Sequence, residues 1–289
     1  MGQVLVFGVV NGAVYGLIAL GIVLVYKGSK VLNFAQPELG TLGIFVTWWL
    51  FEAGVPWLVA GLLGLMVVAV VSFGFERLVV ARMVDAPRLT VAVATVGMML
   101  LLIAVEAKIW GSSPKFLPAP IAGQGPRILG VFVSPTQIIA IGVAAAIGFG
   151  LSAFLRRTDF GLGVLAAAQD PEAVRMMGVS FAKVSAFTWT VAGVLAGVAG
   201  LLIEPTIGAF TFGFTTTLFI PALAAALIGG LTSLTGAFVG GIAVGIIDQG
   251  MQKLFIQSTI PGLEIVVIFF LILALLLFRP QGFFSQARA

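Results

Sequence analysis

A chain of 289 residues without a single histidine or cysteine has few groups left for chemistry. Thiol nucleophiles, disulfides, Cys/His zinc sites and histidine-ligated haem are excluded, and so is the commonest general base. What remains are acidic and amide side chains set inside long apolar runs: Glu38, Glu106, Glu204, Asp248 and Glu264, with Asn11, Asn33, Gln36 and Gln249. Acid–base catalysis would need carboxylates in pairs, and Asp248 has no acidic companion in its own run. No catalytic residue and no metal ligand set is therefore assigned. In a membrane such polar groups line solute pathways or pack against other spans. Asn11, Asn33, Gln36 and Glu38 are the candidates for a pathway. Glu38 serves equally as the acidic residue that favours a helix start. Glu106 and Glu264 fall close to the ends of their runs, where water is expected to reach them.

The elements that hold these residues follow from composition. Hydrophobic residues make up 60% of the chain and charged ones only 9%, against about 25% charged in a soluble domain. So few charges cannot build a soluble surface. The expectation is an all-α integral membrane protein, a polytopic helical bundle forming a single domain over 1–289. About eight or nine segments are expected at 4–26, 37–51, 56–75, 89–109, 135–155, 184–204, 217–231, 236–254 and 262–278. The first run lacks a basic leader and a cleavage pattern and reads as a retained span. Pro37 cannot continue a preceding helix but suits the start of a new one, so 31–51 reads as a broken or re-entrant segment. Gly229 and Gly230, followed by Thr232 and Ser233, mark a second break. The run 206–217, rich in Thr, Phe and Gly, reads either as a re-entrant gate or as an interfacial loop. Glycines four apart, Gly12/Gly16, Gly193/Gly197, Gly236/Gly240 and Gly241/Gly245, read as helix-packing features.

Orientation follows from the cations. Of 15 Lys and Arg residues, Lys108, Lys115, Arg127 and Lys253 fall on one side and the rest on the other. The positive-inside rule puts the richer side, with the C-terminus, in the cytoplasm. Loop 110–134, rich in proline, then lies outside. Loop 156–183 lies inside, and its second part reads as a short capped helix. Asp170 caps it, Pro171 takes its first position, Glu172 suits the dipole and Gly178 stops it. Ala173, Val174 and Met177 form an apolar patch that needs a partner, since two turns are marginal alone.

This loop resembles the cytoplasmic coupling loop of ABC-importer permeases, through Ala166-Ala-Ala-Gln-Asp-Pro-Glu-Ala173 and Gly178. Four further motifs resemble the branched-chain amino acid (Liv-type) permeases, on the H-subunit side. They are Asn11-Gly-Ala-Val-Tyr-Gly16, Asn33-Phe-Ala-Gln-Pro-Glu38, the glycine-rich 226–241 and Phe278-Arg-Pro-Gln-Gly282. Gln36-Pro37 stands where that family often has His-Gly. The resemblance implies that Ala168, Asp170, Glu172, Ala173, Val174, Met177 and Gly178 couple the permease to an ATPase. It implies two ATPase subunits, a second related permease subunit and an extracytoplasmic solute-binding protein, all at the inner (plasma) membrane. No nucleic acid is expected. The chain has no G-x-x-x-x-G-K-[ST] loop, so no cofactor is expected on it and ATP belongs to the partner subunits. Leucine, isoleucine and valine are the default solutes, with other amino acids, urea or short amides open. The competing reading is a stand-alone secondary transporter or channel, which would also use broken helices.

Overall fold

A computed structural model describes residues 1–121, 123, 125–169, 180–255, 263–278, 282 and 283, with six side chains between 264 and 278 left aside. Asp170, Glu172, Ala173, Val174, Met177 and Gly178, expected from the resemblance to couple to an ATPase, lie outside the described residues. The described chain is almost wholly helical. Its helices are α1 (Gly2–Ser29), α2 (Gln36–Glu52), α3 (Trp57–Leu78), α4 (Arg88–Trp110), α5 (Pro135–Arg157), α6 (Asp159–Gln169), α7 (Phe181–Ile207), α8 (Phe219–Gly229), α9 (Leu234–Phe255) and α10 (Leu263–Phe278). Six are long and apolar enough to cross a membrane: α1, α3, α4, α5, α7 and α9. The short helices α2, α8 and α10 match the remaining expected segments to within a few residues.

α1 is the axis of the molecule. Every residue from Gly12 to Val25 is buried, which a helix apolar on all sides demands. α9 crosses it so closely that a Cβ on Gly12 would sit 2.6 Å from the Ile242 Cα, and one on Gly241 or Gly245 would overlap the α1 backbone at Gly16 and Gly12. The glycine pairs are thus packing features, as their spacing suggests. By contrast α3 buries one stripe: Ala60, Gly61, Gly64, Val68, Ser72 and Glu76. Its other face exposes Leu58, Leu62, Met66, Val70 and Phe73, the surface expected against lipid. The buried stripe meets α7, where the Ser72 hydroxyl donates to the Trp189 carbonyl at 2.7 Å.

The helices repeat one order twice. A long helix (α1, α7) is followed by an irregular segment (30–35, 208–214), a short helix (α2, α8) and another long helix (α3, α9). The irregular segments enter from opposite ends. Residues 30–35 start beside Ala168 in α6, whose carbonyl accepts from Lys30. Residues 208–214 start at the other end, where Phe210 pairs with Lys115 of the 110–134 loop. The short helices consequently run in opposite directions from a common middle, the arrangement of an inverted repeat.

Loop 110–134 contains no helix among its described residues; Arg127–Ile128 and Val131–Phe132 pair as a small antiparallel hairpin. The segment after α5 departs from the expectation of a helix in its second part alone. Its first part is itself helical, α6, which buries Gly161, Gly163, Val164, Ala167 and Ala168.

Candidate functional site

Pro37 explains why the first broken span restarts where it does. It lacks an N–H, so it suits the first turn of α2, and the Asn33 carboxamide oxygen accepts from the Ala35 N–H at 3.0 Å to shape the turn before it. The Phe34 N–H reaches the Thr95 hydroxyl of α4 at 3.1 Å. Gln36 is fully buried, and its Nε2 donates to the Ile18 carbonyl of α1 at 3.0 Å. A Cβ on Gly21 would overlap that Nε2, so the glycine makes the space the amide fills. Ile18 is 11 residues from the end of α1, or about 16 Å along its axis, so the restart lies deep inside the bundle.

There the two broken spans meet. The Thr215 hydroxyl donates to the Pro37 carbonyl and accepts from the Thr41 N–H at 3.0 Å. Thr41 and Thr215 hydroxyls lie 2.7 Å apart, and the Thr215 N–H donates to Thr41 Oγ1 at 3.0 Å. One carboxylate ties the rest: Glu38 Oε1 accepts from the Gly213 N–H at 2.9 Å, and its Oε2 accepts from the Thr216 hydroxyl. The start of each short helix is thus satisfied by the other's polar groups, which non-helical backbone at this depth requires. Phe34 and Phe219 close one side, their ring centroids 5.3 Å apart.

Of the four candidate pathway residues, the structure brings Asn33, Gln36 and Glu38 into this junction and leaves Asn11 two turns away on α1. Asn11 Oδ1 and Gln36 Oε1 are both buried without a partner among the described residues. Ala168, the one residue of the expected coupling set that is described, is buried in α6 beside Lys30. Glu106 reads differently in the structure, and two other acidic residues gain partners there. Glu106 is fully buried, not water-exposed, because α2 and the 213 turn cover the last turns of α4; it lies beside Glu38 and the Gly213 N–H. Glu204 accepts from the Leu117 N–H at 3.2 Å and so anchors the 110–134 loop. Asp248 accepts from the Tyr15 hydroxyl at 2.9 Å and from Gln252 at 3.0 Å, which joins α9 to α1.

The sequence singled out the 206–217 run but left its place open. Thr215 is buried at the junction, and Phe210 is buried against Phe45, so the segment folds back into the bundle. The glycines at the end of α8 have a related use. Gly230 adopts φ 88° and Gly282 φ 76°, left-handed values that glycine tolerates, and the two backbones touch so closely that a Cβ on Gly282 would lie 2.6 Å from Gly230 Cα. The Phe283 N–H donates to the Ile228 carbonyl at 2.9 Å, pinning the C-terminal motif to the end of α8.

Among the described residues no group of acidic side chains could hold a metal ion. The junction is hydroxyl-rich, and its threonine hydroxyls and one carboxylate tie the two segments together. Comparison with known proteins gives the family. The chain is 27% identical over 297 residues to the high-affinity branched-chain amino acid transport system permease protein BraD of Pseudomonas aeruginosa, covering 98% of this chain and 95% of that protein. It is 27% identical to the corresponding permease protein LivH of Escherichia coli, covering 96% and 94%. A probable branched-chain amino acid permease of Methanocaldococcus jannaschii is also 27% identical, covering 92% and 87%. The family model described as the branched-chain amino acid transport system permease component matches residues 4–276, and the chain belongs to that family of multi-pass membrane permeases.

Proposed function

We propose that this chain is the permease subunit of an ATP-binding-cassette importer in the inner membrane, forming the translocation pathway for branched-chain amino acids or related small polar solutes. The observation that carries the reading is the junction of two oppositely directed broken spans in a chain that matches the permease family over 4–276. Broken helices that meet deep in a bundle are a recurrent way to build a solute pathway. Gln36, Asn33 and Glu38 lie at that junction, and Asn11 lies further along α1. In this reading Gln36 Oε1 and Asn11 Oδ1 are buried acceptors available to a passing solute.

The energy comes from elsewhere. Two cytoplasmic ATPase subunits dock on segment 156–183 through Ala168, Asp170, Glu172, Ala173, Val174, Met177 and Gly178. A related second permease subunit completes the pathway, and a soluble binding protein delivers solute on the 110–134 side. The basic end of the bundle, with Lys27, Lys30, Arg77, Arg82, Arg88, Arg156 and Arg157, is then cytoplasmic together with the C-terminus.

Broken helices also serve stand-alone carriers, and one comparison separates the two readings. An ATPase is expected to copurify with the wild-type chain from its native membrane and to be lost from Glu172→Lys at equal expression. Recovery of the wild-type chain without an ATPase, active in solute uptake, would favour the stand-alone carrier.

A further inference from the structure

The buried stripe of α5 ends on a cation. Ala140, Ala144, Gly148 and Ser152 follow one another at one-turn spacing on its buried face, and the next position is Arg156. Arg156, itself exposed, lines a cavity of about 340 Å³ at the basic end of the bundle. Lys27, in the last turn of α1, and the turn that starts α9 line it as well. Lys27 is half-buried and has two cations for neighbours, Lys30 and Arg156, which act on it as like charges. No carboxylate lines the cavity among the described residues, so that repulsion meets no counter-charge there. Cations in the last turns of α1 and α5 suit those helix dipoles, but dipole pairing does not require them to share one cavity.

Hydroxyl groups of the same wall have hydrogens to give. The Ser233 Oγ accepts from the Gly236 N–H at 3.0 Å, which leaves its own hydrogen unused among the described residues. The Ser152 and Thr235 hydroxyls lie 3.3 Å apart and share one hydrogen bond, so one of their two hydrogens is unused as well. Ser233 and Thr235 sit at the start of α9, the positive end of its dipole. Two cations, spare hydroxyl hydrogens and a helix start in one cavity call for an anion rich in acceptor oxygens, which is the chemistry of a phosphate. An apolar seam continues from the cavity. Along the α5–α9 contact the Phe149 and Phe238 rings meet edge to face, their centroids 6.1 Å apart, and Phe149 and Val239 stay exposed beside them. We infer that this cavity holds the phosphate of an anionic phospholipid whose headgroup carries no ammonium, with an acyl chain on the Phe149–Val239 seam. A zwitterionic lipid fits less well, because its ammonium would add a further cation where no carboxylate meets it. Basic pockets between spans are a general setting for anionic headgroups. Inorganic phosphate offers the same oxygens without the chains, so the test separates the two sources. The inference concerns neither the solute nor the ATPase, and it stands or falls apart from the importer reading.

The full chain, purified in detergent, is offered equal amounts of phosphatidylglycerol and phosphatidylcholine, and the lipid it retains is counted by native mass spectrometry. One phosphatidylglycerol is expected to stay bound, preferred over phosphatidylcholine about tenfold or more. Arg156→Gln and Lys27→Gln should each remove most of that preference. Arg157→Gln takes away the same charge one position further on, outside the cavity, and should keep it. Melting curves in phosphatidylcholine nanodiscs check that the variants are folded. Should Lys27→Gln fail that check, Arg156→Gln, at an exposed side chain, still decides. A wild type that retains both lipids alike, or an Arg156→Gln that keeps the preference, overturns the inference. So does an equal loss in all three variants, which would mark a diffuse attraction to the basic end. In the second arm, phosphatidylglycerol added to the nanodiscs should raise the wild-type melting temperature where inorganic phosphate, at matched ionic strength, does not. If phosphate alone raises it as far, in a way that needs Arg156, the cavity takes free phosphate and the inference fails.

Discussion

Thr215 holds the end of one broken span with a single hydroxyl, donating to the Pro37 carbonyl while accepting from the Thr41 N–H. Valine has nearly the same shape and can do neither. Thr215→Val removes these bonds and the contact with the Thr41 hydroxyl, at a cost of about 0.5–1.5 kcal/mol for each bond lost. The expected outcome is a clearly lowered melting temperature of the purified protein, with Thr217→Val, at an exposed hydroxyl, as the unaffected control. Gly21 makes the complementary prediction. Any side chain there displaces the Gln36 amide from Ile18, so Gly21→Leu should lower solute uptake more than it lowers expression, both measured in the same membranes. Neither residue could be weighed from sequence alone. The role of Gly21 depends on a partner fifteen positions away, and that of Thr215 on one 178 positions away. Glu106 was misjudged for a related reason. Nearness to a helix end predicts access to water only where nothing covers that end, and here α2 does.

At the scale of elements the sequence was most legible where its punctuation is strong. Pro37 starts α2, Gly229 and Gly230 end α8, and apolar runs placed every helix that could cross the membrane. The insertion at 208–214 was not legible as such, because its alternating Thr, Phe and Gly residues have no period of their own and its hydrogen bonds are made with a segment far away in the chain. α6 was missed because the capped pattern after Asp170 drew attention from the apolar turn before it. The α1–α9 contact yields a sharp prediction. Gly12→Val places a Cβ 2.6 Å from the Ile242 backbone, and overpacking of this kind costs about 1–3 kcal/mol or more. The purified variant should melt well below the wild type or fail to accumulate. Gly97→Val, where nothing lies within 4 Å of the added Cβ, should melt nearly as the wild type does.

For the whole molecule, two halves of opposite direction share one polar joint, and an apolar belt on α3, α4 and α5 faces outward. Force applied at the basic end can reach that joint through a short route: α6 holds Lys30, Lys30 begins the irregular segment, and that segment ends at Gln36 and Glu38. Under the proposed importer reading, this is the route by which an ATPase docked on segment 156–183 would reshape the pathway, with Lys30 as its proposed link. Lys30→Ala should reduce uptake per ATP hydrolysed while leaving ATPase association intact, a split readable in proteoliposomes. The central claim is tested most directly there. Vesicles holding this chain, its partner permease and the ATPase subunits, with binding protein outside, are supplied with labelled leucine. Uptake that requires ATP on the ATPase side and disappears when this chain is omitted is the predicted result; uptake that proceeds without ATP, driven by an ion gradient alone, would contradict it.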